Sequence, residues 1–245
     1  MATPATILAA ATALLFPPTC VLCGAPGSAG YDLCPGCRAE LPGIDPCCPR
    51  CALPFAPGQP PDQPCGRCLR RPPLFSRCRA VFRYEDPLPM LVGGLKFRAR
   101  TELIRLLGQL MADAFAAPER DRPAPRMPFR PDAIVPVPLH PRRLRERGYN
   151  QTLELARILG RRLALPVDHR CCARVRATPP QAALDRRARA ANIRGAFRAS
   201  GALAGRRLVL LDDVVTTGST VAELTRTLLA AGCAEIEVWT LARTP

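Results

Sequence analysis

Along the second half of the chain, short continuous apolar runs alternate with longer segments in which apolar positions return every three or four residues. Ala133–Val137, Arg207–Leu211 and Ile236–Leu241 are of the first kind and predict strands buried on both faces. Asn150–Leu163 and Val221–Ala231 carry the helical period, the second closed by Gly232. Strand and helix alternating in this way predict an α/β domain, a parallel sheet flanked by helices. Ahead of it, a strand pattern at Arg79–Tyr84 leads into helical spacing through Met90–Leu95 and Leu103–Phe115. Ala116–Pro131 is rich in proline and charge and reads as a linker or exposed loop. The first 78 residues hold few long periodic segments, and their cysteine, proline and glycine suit small metal-stapled knuckles. The expected division is therefore residues 1–78 and 79–245.

Composition narrows this picture. A chain of 245 residues that is 48% hydrophobic can build a real core, while 29 prolines interrupt its segments. The apolar stretch Ile7–Phe16 has no Lys or Arg before it and no signal-cleavage pattern, and it is too short to cross a bilayer. It is read as a short amphipathic or buried helix, so no membrane insertion and a cytoplasmic location are expected. The formal charge is +15, carried by arginine except for Lys96. Such an excess favours phosphate-bearing partners, a small polyphosphate or nucleic acid, although a generic solvated surface would look the same.

Ten of the thirteen cysteines fall between Cys20 and Cys78, mostly as C-x-x-C pairs. That spacing suits chelation better than a disulfide scaffold. Cys20 and Cys23 with Cys34 and Cys37 make one four-thiolate set, and Cys48 and Cys51 with Cys65 and Cys68 a second. Closed sets of this kind hold structural zinc. Pairing the second knuckle with the third is the open alternative, and a redox role lacks a thioredoxin-like context. Cys47 and Cys78 are spare; Cys171, Cys172 and Cys233 read as buried thiols.

The richest chemistry lies in LVLLDDVVTTGST, residues 208–220. Asp212 and Asp213 follow a buried strand, where ligands of parallel sheets bind, and adjacent carboxylates there suit ribose hydroxyls. Thr216, Thr217, Gly218, Ser219 and Thr220 then turn into a helix. Its N-terminal N–H groups and the hydroxyls offer a phosphate seat, and glycine lets the backbone approach the anion. A helix cap alone needs only one hydroxyl. The run is neither a Walker A loop nor a dinucleotide fingerprint.

These thirteen residues resemble the phosphoribosyl-pyrophosphate (PRPP) signature of type I phosphoribosyltransferases. Two further runs, VPVPLHPRRLRERGYNQ (135–151) and TPPQAALDRRARAANIRGAF (178–197), resemble the ComF family of competence-related proteins, the latter through Gln181, Leu184, Arg189 and Asn192. The cysteine pairs are similar to that family's N-terminal zinc ribbons, so the resemblance spans nearly the whole chain. It implies a type I phosphoribosyltransferase fold behind a double zinc ribbon, with Mg²⁺ accompanying PRPP. By the same resemblance Asp212 and Asp213 hold the ribose hydroxyls and Thr216–Thr220 the 5′-phosphate.

From His140 through Arg207 there are seventeen arginines and four acids. Arg142, Arg143, Arg145 and Arg147 follow the strand Ala133–Val137, where forked guanidinium groups suit pyrophosphate oxygens; a solvated basic helix face is the plainer reading. Arg186, Arg187, Arg189 and Arg194 lie in the segment that the resemblance makes a closing loop. That loop carries no Lys or His, and arginine cannot act as a base at neutral pH, so chemistry would rest on stabilising the departing pyrophosphate. His140 lies by the pyrophosphate loop and fits packing as well as catalysis; Lys96 matches a basic position of the family without a derivable role. Three functions are expected in turn: phosphoribosyl transfer to an unknown acceptor, PRPP or single-stranded DNA binding without turnover in DNA uptake alongside DNA-processing proteins, and a zinc-ribbon scaffold.

Overall fold

The computed structural model describes residues 17–28, 30–56, 58–97, 100–117, 129–177 and 191–245. Two one-turn helices, α1 (Pro35–Ala39) and α2 (Gly66–Arg70), belong to the cysteine knuckles. There follow β1 (Arg77–Arg83), α3 (Leu88–Phe97), α4 (Thr101–Ala116), β2 (Ala133–Pro136), α5 (Pro141–Arg147) and α6 (Gln151–Leu163). The chain continues through β3 (Cys172–Arg174), β4 (Phe197–Ala199), β5 (Arg207–Val215), α7 (Ser219–Ala230) and β6 (Glu235–Arg243).

Four strands form one parallel sheet in the order β1-β6-β5-β2. Successive side chains of a strand face opposite ways, and β5 uses this to feed two cores. Leu208 and Leu210 join Val135, Val238, α7 and the second cysteine knuckles on one side. Val209 and Leu211 join Ile134, Leu241, α3, α4, α6 and the first knuckles on the other. The antiparallel pair β3–β4 packs beside α7 on the first side.

The two ribbons are thus welded to opposite faces. The Tyr31 hydroxyl donates to Asp113 on α4, which also pairs with Arg38 and Arg162 at 3.5 Å each, and Arg105 pairs with Asp32. These contacts fix the first ribbon. The second inserts Cys47, Cys48, Cys51, Phe55 and Phe75 into the core of the α7 side.

Helix α6 must end where the chain turns back towards the sheet. A Cβ at Gly160 would meet Val167 Cγ2 at 2.7 Å and the Leu165 carbonyl oxygen at 2.8 Å, and that backbone cannot swing aside. Gly160→Ala is therefore expected to cost about 1–3 kcal/mol, as overpacking does. The check is the urea midpoint, which should fall at unchanged m-value.

Two differences from the sequence expectation bear on function. The strand expected to stop at Leu211 runs on to Val215, because β6 still offers partners: Asp212 pairs with Thr240, Val214 with Ala242 and Val215 with Arg243. The stretch after β2, for which a basic loop and a helix face were both expected, is helical, which differs from the loop reading alone: it contains α5, opened by His140 and Pro141 and closed by Gly148 at φ 81°.

Candidate functional site

Because β5 is continuous, Asp212 and Asp213 are in-strand residues rather than loop residues. Asp213 is buried, 6% exposed. Its Oδ1 accepts from Val214 N at 2.8 Å and its Oδ2 from Gln151 Nε2 at 3.2 Å. Asp212 is half-buried and accepts from Asp213 N at 3.0 Å. It lines a small, open pocket together with Val214–Val221, which brings in every residue of the predicted phosphate loop.

That loop is built for a tight return. Gly218, the N-cap of α7, sits at φ 78°, and only Val215 Cγ1, at 3.9 Å, stands near a Cβ placed there. The left-handed conformation, rather than lack of room, calls for glycine. Thr217 Oγ1 and Ser219 Oγ lie 2.8 Å apart, and Ser219 N donates to Thr217 Oγ1 at 3.3 Å. The first-turn N–H groups of α7 have no intrahelical acceptors, which leaves a partial positive charge at this end.

The arginines of α5 divide. Arg142 is exposed and pairs with Glu146 at 2.9 Å, and Arg145 is also exposed. Arg147 is half-buried and donates to Gln151 Oε1 at 2.6 Å, so that Gln151 links it to Asp213. Burial lowers the Arg147 pKa from the ordinary arginine value; Asp213 opposes that and Arg143 adds to it, which places three charges around one space. His140 caps α5, its Nδ1 accepting from Arg142 N at 3.2 Å, a packing role. Arg189, with Gln181, Leu184, Arg186 and Arg187, lies outside the described residues. The return of that segment is anchored where Glu223 accepts from Gly195 N at 2.6 Å.

Three buried residues escaped the sequence reading. Gln151 closes the run 135–151 but was given no role. Arg174, on β3, is 8% exposed beneath Phe197, and burial and Arg143 lower its pKa while Asp212 opposes them. Arg243, at the end of β6, is 1% exposed and grips the carbonyls of Val215 and Thr216. Burial, which the sequence does not display, is what marks the two arginines, since a buried charge needs partners.

The cysteines assemble as expected. In each of the sets Cys20, Cys23, Cys34, Cys37 and Cys48, Cys51, Cys65, Cys68 the four sulfurs lie within 4.8 Å of one another. Cys23 and Cys34 are 3.7 Å apart, as are Cys51 and Cys65. Four Zn–S bonds of ~2.3 Å in a tetrahedron put sulfurs ~3.8 Å apart, so the geometry fits zinc and is far too long for a disulfide. A hydrogen bond from Cys51 holds the Cys48 thiol below the ordinary cysteine range.

A parallel sheet whose central strand delivers two acids to a hydroxyl-rich loop, behind two four-cysteine ribbons, defines a phosphoribosyltransferase-fold protein with a double zinc ribbon. Family models agree: a double zinc ribbon domain matches residues 11–69 and a phosphoribosyl transferase domain residues 152–245. The DNA utilization protein YhgH of Salmonella typhi is 39% identical over 232 residues, 94% of this chain and 99% of that protein. Competence protein F of Haemophilus influenzae is 35% identical over 86% of this chain and 90% of its own length. Competence protein ComFC of Bacillus subtilis is 27% identical over 86% and 84%. The chain belongs to the ComF family. Among solved structures, the glutamine PRPP amidotransferase of B. subtilis aligns over 55% of this chain and 25% of its own at a TM-score of 0.34 and 20% identity. Among the described residues no helix is long and apolar enough to cross a membrane.

Proposed function

We propose that this protein binds PRPP across the end of β5 and transfers its phosphoribosyl group to an acceptor, releasing pyrophosphate, in the uptake or use of DNA. One observation carries the reading: at the end of β5 Asp212 lines the same pocket as the loop Thr216–Thr220 at the N-terminus of α7, while the adjacent Asp213 is linked through Gln151 to Arg147, and Arg143 and Arg174 carry charge near the two acids. In the transfer, an acceptor atom bonds to ribose C1 as the C1–O bond to pyrophosphate breaks. The bonding pair leaves with pyrophosphate and the acceptor's proton passes to solvent. The chain's part is to hold: the acids fix the ribose, the loop fixes the 5′-phosphate, and the arginines meet charge growing on the leaving group. Mg²⁺ bound to the diphosphate would neutralise part of that charge. Residues 1–78 serve in this reading as the ribbon region and 79–245 as the transferase domain.

The names of the relatives and the exposed Arg142 and Arg145 favour a second reading, binding of PRPP or single-stranded DNA without turnover. Pyrophosphate release from PRPP and Mg²⁺ across a panel of acceptors decides between them. The arginines give a finer test. Arg143→Gln with Arg147→Gln should weaken PRPP binding at least about tenfold, since hydrogen bonds to charged groups carry ~1.5–3 kcal/mol each. Arg142→Gln with Arg145→Gln should spare PRPP and flatten the salt dependence of single-strand binding, by roughly 0.7 per lost phosphate contact. The opposite pattern in a salt titration would overturn this assignment.

A further inference from the structure

Three consecutive carbonyls, that of Val215 at the end of β5 and those of Thr216 and Thr217 in the phosphate loop, are held from behind by two arginines, and both arginines are tied to the second four-cysteine set; Val215 O also accepts from Thr244 N at 3.2 Å. Arg67 lies inside the knuckle, between Cys65 and Cys68, and its Nη1 donates to the Thr217 carbonyl at 3.3 Å. Arg243 donates through Nε to the carbonyl of Cys51 at 3.2 Å, and through Nη1 to Val215 O at 3.1 Å and to Thr216 O. We propose that the second metal site is a positioning device for the phosphate loop: metal on Cys48, Cys51, Cys65 and Cys68 fixes Arg67 and the Cys51 carbonyl, and these fix the backbone of residues 215–217.

The peptide plane gives the device its effect. In a trans peptide the carbonyl and the following N–H point in opposite directions. Drawing the carbonyls of Val215, Thr216 and Thr217 towards the ribbon therefore turns the N–H groups of Thr216, Thr217 and Gly218 away from it, as donors for an anion. Two guanidinium groups behind the loop add to the positive field in front. Loss of metal unties the turn of Cys65 and Cys68, which carries Arg67, from the turn of Cys48 and Cys51, which carries the carbonyl that Arg243 meets. Arg67 then has no fixed base and the buried Arg243 loses one of its acceptors. By linkage, an anion bound to the loop strengthens metal retention by the factor that metal strengthens anion binding.

The first four-cysteine set supplies the internal control. Its ribbon is anchored through Asp32 and Asp113 on the opposite side of the sheet, so its metal should leave the loop untouched. The phosphate arm of the proposal rests on the PRPP reading above, whereas the loop arm does not.

The test is hydrogen exchange on the zinc-loaded full chain, followed in peptides covering residues 213–221 and, as reference, β2. Arg67→Ala, a half-buried substitution that spares every cysteine, should accelerate exchange in the loop about tenfold with zinc content and β2 unchanged. Cys65→Ser with Cys68→Ser should accelerate it further, and Cys23→Ser with Cys37→Ser should not. Calorimetry with Mg²⁺–PRPP should show about a tenfold loss in Arg67→Ala. Equal loop exchange in the wild type, Arg67→Ala and the second-site cysteine variant would overturn the coupling. A wild type that binds no PRPP would sink the functional reading alone, and exchange would still decide the coupling.

Discussion

Replacing Asp212 and Asp213 together by asparagine is expected to remove PRPP binding and leave the fold in place. The amide oxygen of asparagine can still accept from Asp213 N and Val214 N, the two backbone bonds the carboxylates receive at 3.0 and 2.8 Å. What disappears is charge, together with the bond from Gln151 Nε2 to Asp213 Oδ2, which an amide nitrogen cannot accept. Two charge-assisted bonds to ribose hydroxyls, at roughly 1.5–3 kcal/mol each, amount to about a hundredfold or more in affinity. Pyrophosphate alone should keep most of its affinity, because it meets the arginines and not the acids. Calorimetry with PRPP and with pyrophosphate separates the two, and equal PRPP affinity in wild type and double variant would sink the site assignment.

The second large effect concerns metal. Elemental analysis should find two zinc ions per chain, one on each four-cysteine set, and less than one in folded, unstripped protein would contradict the assignment. Chelation should loosen the first ~70 residues, because apparent binding energies of structural zinc sites reach ~10–16 kcal/mol and are spent on folding. The sheet of β2, β5 and β6 with α6 and α7 keeps its own packing and should stay folded. Its two faces would nonetheless lose Phe55 and Phe75 on one side and Tyr31 and Leu33 on the other. Stripped protein should therefore bind a hydrophobic dye and melt at a lower temperature.

Much of this architecture was legible in the sequence, for identifiable reasons. The strands Ala133–Pro136, Arg207–Val215 and Glu235–Arg243 are buried on both faces, and continuous apolar runs announce such strands. The cysteine sets were legible because ligand spacing is local. Helix α5 was legible only as one of two readings, a basic helix face beside a pyrophosphate loop: seven residues, four of them arginine, carry no apolar stripe, and only Pro141 and Gly148 mark its ends. The continuation of β5 past Leu211 was hidden because two acids look like a loop until a neighbouring strand claims their backbone. Arg243 was beyond reach for another reason: its partner Cys51 is 192 residues away, and no local pattern encodes a contact of that separation.

The position of β6 has a consequence for how the molecule comes into being. It follows every other described strand in sequence, yet it lies between β1 and β5 and pairs with both. Until the ribosome has passed Arg243, β1 has no neighbour in the sheet and β5 has only β2. The ribbons, made first, can load metal from local ligands alone, but their apolar undersides must wait for the strands that cover them. Assembly of this nascent chain is thus a closing event, in which one segment zips two separated edges together, and before it the chain presents its longest unpaired strands to whatever else is near.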